Sequence, residues 1–221
     1  MAANTALDAL VVDYGMGNLF SVSRALERIG ASFAVSRDPA AVASAARVIL
    51  PGVGAFGDAM DNLARLGLID PLRRHVGSGR PLLGICLGMQ LLFTTGDEFG
   101  TRPGLGFIPG EVVRLWAEDA PRDAFKLPHI GWNRLDRPAG VPWEATVLDG
   151  LEPGAFAYFV HSFAPFPAET THVLSRTGYG EALFCSTVAK DNVFGCQFHP
   201  ELSHMAGLRI LQNFIRRPAA A

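Results

Sequence analysis

Residues 84–88, Gly-Ile-Cys-Leu-Gly, place a thiol between two glycines where an apolar strand gives way to a helix-forming run, inside "PLLGICLGMQLLF". Gly-x-Cys-x-Gly in that setting has the form of a nucleophile elbow, better known with serine. Its tight, strained turn exposes the nucleophile and admits only small neighbours. Free N–H groups and the dipole at the start of the following helix favour thiolate at Cys86, and the N–H of Leu87 can point at a developing oxyanion. Such a turn also serves packing alone, with the cysteine as a small core hydrophobe. A base decides between the two.

The chain has six histidines. His75 lies in a basic helical stretch and reads as solvated, His172 as ordinary surface, and His204 as a residue near a helix start. His129 in "PHIGWN", His161 in "FVHSF" and His199 in "GCQFHPEL" remain. Only His199 follows an apolar strand and has a carboxylate two residues on, Glu201, with Pro200 stiffening the link. The pair supplies a base and an orienting acid. Taken alone, His-Pro-Glu is a strand end leading into a helix; beside the cysteine elbow it completes a triad. The third component is "ILPGVGAFG". A glycine-rich loop after a strand can turn backbone N–H groups inward, so Val53 or Gly54 would form the second half of an oxyanion hole. Phosphate binding or a plain turn are the other uses of such a loop. "DYGMGNLF" lacks the third glycine of the dinucleotide fingerprint and reads as a close-packed turn.

These residues need strands to carry them. "ALVVDYG", "SFAVS", "RVIL" and "PLLGIC" read as strands. Between them come a helix in "NLFSVSRALERIG", capped by Asn18, and one in "DPAAVASA", capped by Asp38 with Pro39 at its first position. A helical region over 58–75, broken near Gly67 and Pro71, precedes the fourth strand. The order predicts an α/β fold: a doubly wound, mostly parallel sheet with helices on both faces. Sites in such sheets lie beyond the carboxyl ends of the strands, where Asp13, Pro51, Gly54 and Cys86 fall. After Gly100, short strand-like pieces ("GEVVRLW", "AFAYFVHSF", "THVLSRT", "EALFCSTVA", "VFGCQFH") predict an antiparallel C-terminal section. "RPAGVPWEATVLDGLEPG" reads as a surface connection, and residues 203–216 as a last helix.

The 221 residues suit a single domain over 1–221 with an ordered core at about 7–217. With 49% hydrophobic and 18% charged residues the chain can bury a sizeable core, and a net charge of -2 without a basic block gives no nucleic-acid footprint. No apolar run is long and unbroken enough for a membrane span, and no basic leader precedes the first one. Three widely spaced cysteines without C-x-x-C fit reduced thiols in a cytoplasm. The scattered cysteines and histidines form no metal-ligand pattern.

Together, the cysteine elbow, the glycine loop and the late His-Pro-Glu resemble the triad-type, class I glutamine amidotransferases, a family with a flavodoxin-like fold. "DYGMGNL", "LPGVGAFGDAM", "GICLGMQLLF", "GLGFIPGEVVRL", "KLPHIGWN" and "YFVHSF" resemble, in order and over nearly the whole chain, the glutaminase subunits of imidazole glycerol phosphate synthase. The resemblance implies that Cys86 attacks the side-chain amide of L-glutamine, that His199 moves the protons and that Glu201 holds the imidazole. A thioester on Cys86 would then be hydrolysed to glutamate. It implies oxyanion donors at Leu87, Val53 and Gly54, and a glutamine site at Gly54, Gln90, Ser162 and Phe163, the last two through backbone. No metal or organic cofactor is implied.

A partner is implied: a (β/α)8-barrel cyclase subunit in a heterodimer. It uses the ammonia to make imidazole glycerol phosphate and an aminoimidazole carboxamide ribotide in histidine biosynthesis. Asn18 and Trp132 would face it, although Trp132 also suits a core aromatic. In the family the cyclase and its ligand switch hydrolysis on, and glycines at 52 and 54 would let a peptide in the loop reverse. One position departs from the family: lysine usually follows His-Pro-Glu, and Leu202 stands there, which predicts a more apolar local contact with the cyclase. Two alternatives remain on sequence grounds. "HPEL" hints at the glutaminase of another synthase, such as pyridoxal phosphate synthase. A doubly wound binding module with an inert cysteine and a phosphate in the glycine loop is the other.

Overall fold

A computed structural model describes residues 7–115 and 126–218. The chain opens with β1 (Ala9–Val12), α1 (Leu19–Arg28), β2 (Phe33–Ser36), α2 (Pro39–Ser44), β3 (Val48–Gly52), α3 (Phe56–Arg65), α4 (Ile69–Gly77), β4 (Leu82–Cys86) and the single turn α5 (Leu87–Gln90). Short strands follow: β5 (Phe93–Asp97), β6 (Thr101–Pro103), β7 (Ile108–Arg114), β8 (His129–Leu135), β9 (Ala155–His161), β10 (Phe163–Pro167), β11 (Val173–Tyr179), β12 (Ala182–Lys190) and β13 (Val193–Cys196). Helix α6 (His204–Arg216) closes the described chain.

Local chemistry sets the helix starts as expected. The Asn18 side chain accepts from the Ser21 N–H at 3.1 Å, and Asp38 accepts from Ala40 N–H at 3.1 Å with Pro39 leading α2. Pro71 does not break its helix. It sits in the first turn of α4, where an N–H has no intrahelical acceptor to lose.

A seven-stranded sheet runs β11-β12-β13-β4-β3-β1-β2. The members from β13 to β2 pair in parallel, and β11-β12-β13 pair antiparallel. Of the expected antiparallel section, β11 to β13 extend this same sheet, whereas "GEVVRLW" (β7) and "AFAYFVHSF" (β9) enter separate sheets. Alternate residues of the central strands feed opposite faces. Ala9, Val11, Ile49, Leu83 and Ile85 pack with Val22 and Leu26 of α1 and Leu211 and Phe214 of α6. Leu10, Val12, Leu50 and Leu82 pack with Val42 of α2, Leu63 of α3 and Leu72 of α4. Helices thus cover both faces. A four-stranded sheet, β10-β7-β5-β6, and a ribbon, β8-β9, lie beside the main sheet.

Three further sequence expectations change. The "LLF" after the elbow leaves the helix after one turn and enters β5, because Leu91 and Leu92 give their carbonyls to Leu105 and Ile108 N–H groups at 2.8 and 3.0 Å. The 137–154 connection is not merely surface, since Trp143, Val147 and Leu148 are buried in the core and Trp143 Nε1–H donates to Leu174 O at 2.7 Å. His75 is buried rather than solvated, with Nε2 2.9 Å from Pro81 O; burial lowers its pKa, so the neutral ring donates there. Among the described residues no helix is long and apolar enough to cross a membrane.

Trp143→Phe keeps most of the buried ring but strands the Leu174 carbonyl. A loss of about 1–2 kcal/mol in urea unfolding is expected; an unchanged midpoint would show that the indole bond contributes nothing net.

Candidate active site

The elbow works because backbones touch. A Cβ on Gly88 would lie 1.8 Å from the Leu50 carbonyl oxygen, and one on Gly52 would lie 2.6 Å from the Tyr14 hydroxyl and 2.7 Å from Gly88 N. These glycines are required for space, since neither adopts positive φ. The strained residue is Cys86 itself, at φ 53° and ψ -113°. The register pairs Gly52 of β3 with Cys86 of β4, so Val53 and Gly54 leave the sheet directly across from the thiol. Gly54 is exposed at φ +112°; of the two loop glycines at 52 and 54 it alone occupies the region that favours glycine.

His199 Nδ1 lies 2.8 Å from Glu201 Oε1, and the ring also hydrogen-bonds Cys86. Its backbone is tied to β9: His199 N–H donates to Tyr158 O at 2.9 Å, and Ser203 Oγ–H donates to His199 O at 2.6 Å while accepting from Tyr158 N–H at 2.9 Å. The Glu201 carboxylate is 1% exposed. Its second oxygen has no hydrogen-bond partner among the described residues. Such a charge depends on the cation beside it. Burial opposes a charged imidazole, but the hydrogen bonds to Cys86 and Glu201 and the charges of both outweigh it and push His199 up to about 10. The helix after Cys86 spans only four residues, so its dipole is short. The sequence reading leaned on that helix; the structure adds a charged imidazole hydrogen-bonded to Cys86.

Gln90 is linked to the thiol through Gln197. Its Nε2 donates to Phe163 O at 2.9 Å and to Gln197 Oε1 at 3.0 Å, and Gln197 Nε2 contacts Cys86 Sγ at 3.7 Å. Val160 O is the thiol's other neighbour, also at 3.7 Å. Ser162 and Phe163 follow β9, with Ser162 O accepting from Leu115 N–H at 3.0 Å. The structure therefore gathers Cys86, Leu87, Gln90, Phe163, His199 and Glu201. Sequence reading missed Gln197, Val160 and Tyr14. Read as one strand, "VFGCQFH" would put Gln197 on the side of His199, but β13 ends at Cys196, and Gln197 reaches the thiol through the segment that follows.

Of the candidates for a partner face, Trp132 is 44% exposed and stacks on the His204 ring at 4.7 Å, so it is not a core aromatic. Leu202 is 39% and Met205 71% exposed. Asn18 is exposed, but its amide oxygen is engaged as the cap of α1. Among the described residues no group of histidines, cysteines and carboxylates could hold a metal ion.

A raised pKa means that His199 keeps its proton at pH 7 and loses it only as pH climbs towards about 10. Glu201→Gln removes one hydrogen bond to a carboxylate and its charge while the burial remains. NMR titration of the His199 ring should therefore show deprotonation at lower pH than in the unaltered protein; an unmoved titration would leave Cys86 alone holding the charge.

Residues 10–217 match the family described as Glutamine amidotransferase class-I. The imidazole glycerol phosphate synthase subunit HisH of Syntrophotalea carbinolica is 48% identical, the alignment covering 93% of this chain and 98% of that one. HisH of Aquifex aeolicus is 49% identical over 94% of this chain and 96% of its own, and HisH of Bacillus subtilis 49% over 95% and 96%. A crystal structure of a glutamine amidotransferase shares the fold with a TM-score of 0.68 at 21% identity, over 93% of this chain and 96% of that one. The structure of PurLQS from Thermotoga maritima does so with a TM-score of 0.68 at 21% identity, over 94% and 96%. The relatives' shared name and their coverage argue against the glutaminase of another synthase and against an inert binding module. This chain belongs to the class-I glutamine amidotransferase family and, within it, to the HisH subunits of imidazole glycerol phosphate synthase.

Proposed function

We propose that this chain is the glutaminase subunit of imidazole glycerol phosphate synthase, and that Cys86, His199 and Glu201 perform the hydrolysis. The observation that carries the assignment of residues is the strained Cys86 hydrogen-bonded to an imidazole whose other nitrogen is held by a buried carboxylate. The Cys86 thiolate attacks the side-chain carbonyl carbon of glutamine, and the displaced electron pair forms an oxyanion. Leu87 N–H and the backbone at Val53 and Gly54 receive it. The imidazolium gives its proton to the amide nitrogen as the carbon–nitrogen bond breaks, so ammonia leaves and a thioester remains. His199, now neutral, takes a proton from water, whose oxygen attacks the thioester; glutamate leaves and the thiolate–imidazolium pair is restored. Glu201 keeps the ring oriented throughout. Gly54, Gln90 and the backbone of Ser162 and Phe163 hold the substrate.

Ammonia that reaches water is protonated and loses its nucleophilicity, so the product must pass to the cyclase subunit through a closed face. The β8-β9 ribbon suits that face. Ile130, Trp132, Phe156 and Val160 point outward from alternate positions and are exposed, an apolar patch of the kind that marks partner sites. Asn18, Trp132 and Leu202 border the interface in this reading. The chain acts as one domain, a reading supported by a family match over 10–217 and by two core layers that share one sheet. Cytoplasmic location is supported by three free cysteines.

The test is glutamate release from L-glutamine by the purified chain, alone and with its cyclase subunit and nucleotide ligand. Release by the complete mixture should fall at least about a thousandfold in Cys86→Ala, as loss of a nucleophile does; equal release by the variant would refute the assignment. A glutamine-like chloroketone should label Cys86 and spare Cys185 and Cys196, which are buried and whose thiols burial pushes up, Cys185 to about 12.

Leu202→Lys should weaken the complex about tenfold if an apolar cyclase surface meets this position, since a buried lysine is poorly compensated there. Equal affinity in titration calorimetry would place Leu202 outside the contact.

A further inference from the structure

Behind the thiol lies a second polar cluster that the hydrolysis above does not use. His129 of β8 and His161 of β9 are register partners, and both are buried. His161 Nδ1 is 2.9 Å from Phe163 O, a carbonyl that can only accept, so this nitrogen carries the hydrogen. In the neutral ring Nε2 is then a lone pair, and His129 Nδ1, 3.2 Å away, must donate to it. That leaves His129 Nε2 to accept from Asn133 Nδ2 at 3.4 Å. The Asn133 amide is itself oriented, because Nδ2 donates to Gly178 O at 2.8 Å and Oδ1 accepts from Arg134 N–H at 2.8 Å. Each role forces the next, and the chain runs one way: Asn133 to His129 to His161 to the Phe163 carbonyl.

The surroundings keep both rings neutral. Burial pushes His129 down to about 4; burial, with the nearby His129 and His199, pushes His161 down to about 3. The His129 ring stacks on Tyr179 at 4.0 Å and Phe159 at 5.0 Å, and Phe184 meets His161 edge-on at 4.9 Å. Phe163 O also accepts from Gln90 Nε2 at 2.9 Å, so both of its lone pairs are used. Its direction is fixed by two donors, one from α5 and one from the ribbon.

We propose that His129 and His161 are positioning residues for glutamine, holding the Phe163 carbonyl, and with it the backbone of Ser162 and Phe163, in the orientation that receives the substrate. This rests on the assignment of that backbone to the glutamine site. The histidines occupy the inner face of the ribbon whose outer face carries Ile130, Trp132 and Val160. A shift of the ribbon against a partner is therefore passed to the substrate backbone through two hydrogen bonds.

Two measurements test it. In the unaltered protein labelled with 15N-histidine, both His129 and His161 should be neutral Nδ1–H tautomers at pH 7, the less common form in water; Nε2–H at either ring overturns the proposal. In the complex with the cyclase subunit, His129→Phe keeps an aromatic ring on the stack and removes the donor. It should raise the glutamine KM about tenfold with kcat within about twofold, as loss of a ground-state hydrogen bond does, and His129→Asn, which restores a donor near Nδ1, should recover most of that rise. A KM unchanged in His129→Phe, or a rise that His129→Asn leaves in place, overturns the proposal. Thermal melting checks that the variants fold; if His129→Phe does not, the tautomers decide. A complex of the unaltered protein that releases no glutamate counts against the proposed function, whereas the tautomers still decide the hydrogen-bond chain.

Discussion

Everything at this site depends on a backbone approach that leaves no room for side chains. Gly88 lies against the Leu50 carbonyl and Gly52 against both the Tyr14 hydroxyl and the Gly88 nitrogen. Strands β3 and β4 therefore deliver the glycine loop and the thiol to adjacent points at the carboxyl edge of the sheet. Beside that close approach Cys86 adopts positive φ, a conformation that costs a few kcal/mol at most and that buried surroundings can hold. A methyl group at Gly88 would push β3 away from the elbow and part Cys86 from the Val53–Gly54 loop.

The strained turn sets position, and the buried charges set reactivity. Glu201 has one carboxylate oxygen on His199 and another facing no hydrogen-bond donor among the described residues. Burial alone would favour neutral groups. The imidazolium persists because its hydrogen bonds to Cys86 and Glu201 and the charges of both outweigh burial. Removing any one leaves another buried and uncompensated. His161, which also faces His199, must then be neutral, and it is pushed well below the usual histidine range. The two histidine systems divide the work by charge: one carries a proton and the other excludes it.

The parts legible in the sequence were those governed by local rules. Asn18 and Asp38 announce helix starts by residue type, and the central strands announce themselves as unbroken apolar runs because both faces are covered. That Cys86, His199 and Glu201 could act together was legible because the elbow and His-Pro-Glu are each contiguous, and the structure brings the three side chains together. What escaped needed tertiary contacts. β8 draws its pairing from β9, beyond the 137–154 connection, and "LLF" reads equally well as helix or strand. Trp143 lies in a proline-rich stretch whose surface composition hides a buried indole. Gln197 and Tyr14 reach the site through packing with elements more than seventy residues away. His129 and His161 were singled out as candidate bases, and only their register showed that they face one another.

The β8-β9 ribbon joins these levels. A two-stranded ribbon alone is marginal in water, so its inner face must be anchored, and here the anchors are polar as well as apolar. His161, Phe159 and Leu135 point inward, while the carbonyls of Val160 and Tyr158 reach Cys86 and His199. Its outer face is left apolar and exposed. Strand alternation means that one ribbon cannot shift on one face without moving the other. In the proposed reading, a partner seated on Trp132 and Ile130 would act on the Val160 and Tyr158 carbonyls beside Cys86 and His199 without touching those two residues. The place where the chain is least self-sufficient in packing is also where it is mechanically closest to its chemistry, which is the arrangement a subunit needs if it is to hydrolyse glutamine only when its ammonia has somewhere to go.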